Sequence, residues 1–97
     1  MPAERHEIVY RDEIASDLGG LGGRLLKRVL DAIENRLSSS PELYGKPLSH
    51  ELKGLRRIRV GDLRVAYQAT DRKVVIWAVL HRKKIYAELA KRLLRLR

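Results

Sequence analysis

Arginines are the side chains of this sequence best placed to do chemistry. In "RRIRVGDLRVAYQAT", Arg56 to Thr70, the dipeptide Gly61-Asp62 separates two alternating runs and reads as a two-residue hairpin turn. That register sets Val60 opposite Leu63 and Arg59 opposite Arg64. Alternation along the strands puts Ile58, Val60, Leu63, Val65 and Tyr67 on one face, and Arg57, Arg59, Arg64, Ala66 and Gln68 on the other. Like charges facing each other across a ladder cost about 0.2–1 kcal/mol. Solvated side chains that splay apart would dissipate the penalty, whereas an anion lying across the face would turn it into attraction.

The overall charge enlarges the second possibility. Lys+Arg 21 against Asp+Glu 12 leaves a net charge of +9 on 97 residues, so a polyanion or an acidic protein is the expected partner, nucleic acid first. With no Phe and 5% aromatic residues, only Trp77 and the four tyrosines can stack on bases, which argues against an extended single-strand platform. The absence of cysteine removes disulfides, thiolate zinc sites and cysteine nucleophiles together. No apolar run approaches the roughly 18 residues of a membrane span, and "MPAERHEIVYRDE" is too charged for a secretory signal. The expectation is one soluble, cytoplasmic domain over 1–97, with no membrane association.

Metal and cofactor chemistry finds no foothold. Asp12, Glu13 and Asp17 fall on a predicted helix, and Asp31 with Glu34 reads as a solvated face beside Lys27 and Arg28. "GGLGG" lacks the strand, lysine and serine of a phosphate loop and reads as a hinge.

The elements that must position the arginines follow from periodicity. "HEIVYR" reads as a first strand, and Asp12 and Glu13 suit a helix start that the paired glycines end. From Arg24 to about Leu37, Leu26, Leu30, Ile33 and Leu37 recur at helical spacing, with Leu25 and Val29 widening the stripe. "PELYGKPLSHELKGL" reads as a connection bent at Gly45, Pro47 and Gly54. After the hairpin, "KVVIWAVL" is apolar on both faces and should lie inside the sheet. A two-residue turn at Asp71-Arg72 would place Leu80, Ala78, Ile76 and Val74 on the core face. Val79, Trp77 and Val75 would then floor the arginine face, with His81 continuing their parity. "HRKKIYAELAKRLLRLR" is a basic amphipathic helix, with Ile85, Leu89, Leu93 and Leu96 on one side and Lys84, Lys91, Arg92, Arg95 and Arg97 elsewhere. The sum is an α+β fold: a small antiparallel sheet packed against two N-terminal helices, with a basic helix at the C-terminus.

"GKPLSHELKGLRRIRVGDLRVAYQ" followed by "HRKKIY" resembles the RelE/ParE toxin superfamily of toxin–antitoxin modules. The resemblance covers nearly the whole chain in element order, and Gly45 to Tyr86 is its specific part. It implies a type II toxin. RelE-like members cleave messenger RNA in the ribosomal A site without metal or cofactor, whereas ParE-like members inhibit DNA gyrase. Carried over position by position, it makes Arg57 and Arg59 phosphate and RNA contacts, Arg64 a transition-state stabiliser, and Arg82 and the functional tyrosine Tyr86 further members of the catalytic set. His81 joins them at the RNA. Cleavage through the adjacent 2′-OH needs a base, positive charge on the phosphorane and a proton for the leaving 5′ oxygen. Arginine supplies the charge; Tyr86 and His81 both stand as candidates for the base, while His6 and His50 look too scattered to pair with His81. Two residues depart from the family pattern. Leu63 stands where many relatives carry an aromatic residue, and Leu80 where a glycine often precedes the histidine, so Leu80 bears on how His81 and Arg82 are presented.

Three functions follow for comparison: a ribosome-dependent endoribonuclease, a gyrase inhibitor, and a non-catalytic module that binds nucleic acid or antitoxin. Retention of Arg57, Arg59, Arg64, Arg82 and Tyr86 together favours the first. The resemblance also implies an acidic antitoxin, bound to the basic groove in a hetero-oligomer, besides the ribosome and its messenger.

Overall fold

The computed structural model describes residues 5–95. Leu96 and Arg97, assigned above to the last helix, lie outside the described residues. Strand β1 (Glu7–Tyr10) leads into helices α1 (Glu13–Gly19) and α2 (Gly23–Ala32), and α2 runs on as a wider π-helical turn over Ile33–Leu37. A short α3 (Pro41–Tyr44), a two-residue strand β2 (Lys46–Pro47) and a 3₁₀ turn at His50–Leu52 make up the connection. Strands β3 (Arg56–Val60), β4 (Leu63–Ala69) and β5 (Lys73–His81) and helix α4 (Ile85–Leu94) complete the chain. Among the described residues no helix is long and apolar enough to cross a membrane.

The α+β class and the elements β1, α1, α2, β3, β4, β5 and α4 agree with the sequence, whereas α3 and β2 lie in what reads as a bare connection and β1 makes the sheet mixed rather than purely antiparallel. The five strands lie in the order β1-β5-β4-β3-β2, antiparallel except that β1 runs parallel to β5. The hairpin has the expected register, with Arg59 across from Arg64 and Val60 across from Leu63. Its apolar face joins Ile14, Val29, Ile33 and Leu37 from the N-terminal helices in one core.

The pairing of β4 with β5 departs from a plain alternation. Ala66 faces Ala78 but Tyr67 faces Ile76, so Trp77 is an extra residue in a β-bulge. Since side chains alternate with period two, one extra residue reverses the facing of everything beyond it. Val74 and Ile76 therefore lie in the helix-side core as expected, but Val79 joins them there, while Ala78 and Leu80 turn to the arginine side. His81 pairs with Leu63 and leaves the arginine parity.

The arginine side is covered as well. Ile85 and Leu89 of α4, with Leu52 and Leu55, close over Ala66, Trp77 and Ala78 in a second core. Packing of α4 on its own sheet follows from the two-sided apolar character of β5, which leaves no face for water.

One ion pair ties the two layers together. β1 ladders with β5 only as far as Ile76, and past that point Asp17 of α1 accepts the Val79 N–H through Oδ2 at 2.9 Å. Arg92 of α4 donates from Nη1 to the Trp77 carbonyl at 3.0 Å, and from Nη2 and Nη1 to the Asp17 carboxylate at 2.8 and 2.9 Å. Both side chains are buried, 7% exposed for Arg92 and 4% for Asp17. Arg92, read above as one of the outer cations, is thus an internal group, and Asp17 is its counter-ion. The hydrogen bonds it donates to Asp17 hold the Arg92 guanidinium above its ordinary pKa against the opposing effect of burial. Glu88 accepts Arg92 Nε at 3.1 Å, and this contact is the main cause of its lowered pKa. Glu34 is likewise engaged, accepting the Tyr10 hydroxyl at 2.8 Å.

The connection before β3 is pinned by the sheet. Tyr67, fully buried, donates its hydroxyl to the Pro41 carbonyl, and burial pushes its pKa up to about 12. Arg56 Nη1 donates to Gly45 O at 2.8 Å and Glu42 O at 3.1 Å. A Cβ on Gly45 would lie 1.7 Å from Tyr67 Oη, so only glycine allows this approach.

Asp17→Ala is expected to lower the unfolding free energy by about 3–5 kcal/mol in urea denaturation, because it strands a buried guanidinium. Asp17→Ala/Arg92→Leu should lose less than the sum of the two single variants; strict additivity would show that the pair is not coupled. Gly45→Ala should cost about 1–3 kcal/mol in the same assay through overpacking against Tyr67, and an unchanged midpoint would contradict the close approach.

Candidate nucleic-acid interface

The arginines gather where the hairpin turn meets the end of β5. Arg82 N–H donates to the Asp62 carbonyl at 2.8 Å, which ties the residue after β5 to the Gly61-Asp62 turn. The Arg82 and Asp62 side chains lie 3.8 Å apart and largely exposed, so their attraction is screened and the guanidinium stays available. Arg64 curls over the turn, its Nη1 donating to the carbonyls of Gly61 at 3.0 Å and Leu63 at 2.9 Å. Those contacts leave the far nitrogens of its fork free of backbone.

The electrostatics of Arg64 records its neighbours. Its pKa is lowered, first by partial loss of solvent and then by the charges of Arg59, Arg57 and Arg82, while Tyr86 acts in the opposite sense. The register and contacts agree: Arg59 lies across from Arg64, Arg82 is tied to the turn, and Tyr86 shares a cavity with Arg57, so groups from β3, β4, the end of β5 and the start of α4 meet in one region. Arg59 is exposed, Arg57 and Arg64 are half-buried, and Tyr86 is 40% exposed.

α4 limits the extent of this surface. The shallow groove expected along the whole arginine face does not exist, because Ile85 and Leu89 occupy its middle. What remains is a rim beside the turn, bordered by Leu80, which faces Arg64 across the ladder.

His81 enters differently from the arginines. It sits across from Leu63, its Nδ1 accepts the Lys83 N–H at 3.1 Å, and its carbonyl accepts the Lys84 N–H at 2.8 Å as the chain turns into α4. With Nδ1 an acceptor, the neutral ring carries its proton on Nε2.

The short strand β2 adds residues that sequence reasoning missed. Lys46 lies directly across from Arg57, a second like-charge pair in register. A cavity of about 370 Å³ lined by Lys46, His50, Arg57 and Tyr86 opens beside it. His50 has φ 57°, a left-handed backbone that costs a non-glycine residue about 1–3 kcal/mol. His50 therefore does reach the arginine surface, whereas His6 lies in a separate depression near Ser39 and Asp71. A two-residue strand containing proline carries almost no periodic signal. The one available cue was Lys46 itself, a cation in the connection that leads to the arginine run.

Comparisons with known proteins bear on this geometry. Residues 8–86 match the family model described as ParE toxin of type II toxin-antitoxin system, parDE. The chain is 30% identical over 66 residues to Toxin RelE of Mycobacterium tuberculosis, an alignment that covers 68% of each protein. Among solved structures it is similar to a chain of the toxin–antitoxin complex RelBE2 from the same organism, at 34% identity and TM-score 0.76, over 80% of this chain and 92% of that one. A chain of the RelB–RelE antitoxin–toxin complex of Methanococcus jannaschii matches at 25% identity and TM-score 0.63, over 82% and 96%. YafQ of E. coli shares the fold, with 19% identity and TM-score 0.62 over 84% and 99%. With the family model spanning the sheet, both N-terminal helices and Tyr86, the chain belongs to the RelE/ParE family of toxins of type II toxin–antitoxin modules.

Proposed function

We propose that this toxin is a ribosome-dependent, metal-independent endoribonuclease that cleaves messenger RNA in the A site. The observation that carries the reading is the gathering of basic groups at the hairpin: Arg59 lies across from Arg64, Arg82 is tied to the turn, and Arg57 shares a cavity with Tyr86. A phosphodiester seated there meets several preorganised positive charges, the arrangement that stabilises a phosphorane. In the reaction the 2′ oxygen attacks phosphorus, the bond to the 5′ oxygen breaks, and a 2′,3′-cyclic phosphate remains. In its phenolate form Tyr86, facing the cations, takes the proton from the 2′-OH. The leaving 5′ oxygen takes its proton from solvent; the neutral His81 ring, with Nδ1 accepting the Lys83 N–H, serves as an RNA contact rather than as an acid. Arg57 and Arg59 hold the flanking backbone, with Lys46 beside Arg57. The partner that silences the toxin is an acidic antitoxin lying over this basic rim in a hetero-oligomer; RelB–RelE complexes among the similar structures support that reading.

The family model's description as a ParE toxin favours a second reading, gyrase inhibition, in which the same arginines act by charge alone. Primer extension on translated messenger RNA, run beside a gyrase supercoiling assay, separates the two. Arg64→Ala is expected to reduce cleavage on the order of a hundredfold to a thousandfold, the effect of removing one preorganised donor, while the protein stays folded. Tyr86→Phe should reduce cleavage as strongly if the hydroxyl moves a proton, and leave it intact if the ring only packs. Wild-type protein that makes no cuts but blocks supercoiling would overturn the nuclease reading in favour of the other.

A further inference from the structure

Tyr44 is 50% exposed on a segment whose backbone is firmly held. It closes α3, whose backbone is fixed on both sides of it: Pro41 O by the buried Tyr67 hydroxyl, and Glu42 O and Gly45 O by Arg56. The next residue, Gly45, is packed so tightly on Tyr67 that it cannot carry a side chain. The ring is thus held in water by a rigid turn. It does not wander as loop-tip aromatics do.

Its neighbours are cations. Tyr44 lines a cavity of about 220 Å³ with Lys46, Arg57, Ile58 and Arg59. Lys46 and Arg57 also line the larger cavity that holds Tyr86. Two half-exposed tyrosines therefore flank one like-charge pair, Lys46 and Arg57, which face each other in register. A phosphate between two bases has this pattern of chemistry: charge in the middle and an aromatic plane on each side.

We infer that Tyr44 stacks a base of single-stranded RNA while Lys46 and Arg57 hold the adjoining phosphate, forming a nucleotide subsite next to the one at Arg64 and Tyr86. The inference deepens the nuclease reading and rests on it for the identity of the ligand. A single stacked base is compatible with the low aromatic content, since each platform needs only one ring. Stacking tolerates any base and grips purines most firmly through their larger surface, so the subsite biases where a message is cut without reading it by hydrogen bonds. An acidic protein segment could meet the cations but would leave the exposed ring without a planar partner.

The test uses the full chain and a six-residue oligoadenylate as probe, with binding followed by fluorescence anisotropy over a range of salt concentrations. Tyr44→Ala is expected to weaken binding about five- to a hundredfold with the salt slope unchanged, because a stacked base is lost and no ion contact. Tyr44→Phe should bind as wild type. Lys46→Ala should instead reduce the slope of log affinity against log salt by about 0.7, one phosphate contact to a single strand. In primer extension Tyr44→Ala should redistribute the cuts on a translated message. Wild-type affinity in a folded Tyr44→Ala protein, checked by its urea midpoint, would overturn the subsite, as would loss of binding to an acidic helical peptide with RNA binding intact. Should wild type bind the probe through Tyr44 yet cut no translated message, the nuclease reading fails and the subsite stands. Should it cut, with Tyr44→Ala unaltered in affinity and cut sites, the subsite fails and the nuclease reading stands.

Discussion

The Asp17–Arg92 pair is the contact on which the rest of this architecture hangs. A helix on each face of a small sheet has no direct way to sense the other, and here one carboxylate and one guanidinium meet around the uncovered edge of β5. The pair also completes the backbone hydrogen bonding of β5 where β1 stops, so three elements depend on it. Lysine in place of Arg92 could not bridge the carboxylate bidentately and reach the Trp77 carbonyl together. Since Tyr86 belongs to the first turn of α4, the same contact fixes where the phenol stands relative to the arginines.

The bulge at Trp77 sets the other half of the geometry. By reversing parity along β5 it sends Val79 into the core under the N-terminal helices and brings Ala78 under α4, where a small side chain lets the helix approach. Trp77 packs under α4 and stacks against Arg11, 4.0 Å from the ring centroid. Both faces of the sheet are thereby filled, and the basic surface is confined to the corner between the hairpin turn and the start of α4. Confinement concentrates charge: the cations that would have spread along a groove crowd around Arg64.

How much of this could be read from the residues varies with the range of the interaction. The hairpin was legible in full, because turn residues and alternation are local signals that agree with each other. The helical periods of α2 and α4 were legible for the same reason, although the core side of α2 runs through Leu25, Val29, Ile33 and Leu37, leaving Leu26 and Leu30 half-buried beside it. The bulge was not, since its extra residue is chosen by packing between layers that are distant in sequence. Arg92 looked like any outward cation on a basic helix, and nothing near it in sequence announces Asp17, seventy-five residues earlier. At the candidate site, Arg57, Arg59, Arg64, Arg82 and Tyr86 could be listed from the family resemblance, and hairpin geometry grouped the first three. Lys46, His50 and Tyr44 escaped because a two-residue strand and a short helix are held by Tyr67 and Arg56, tertiary contacts that carry no periodicity.

The registered like-charge pairs, Arg59 with Arg64 and Lys46 with Arg57, also couple ionic strength to two properties in opposite directions. Counter-ions that collect at this corner relieve the mutual repulsion of the side chains and so strengthen the folded sheet. The same counter-ions must be expelled before a polyanion can take their place, which weakens its hold. Low salt leaves the corner tense and receptive; high salt leaves it relaxed and closed to a phosphate chain.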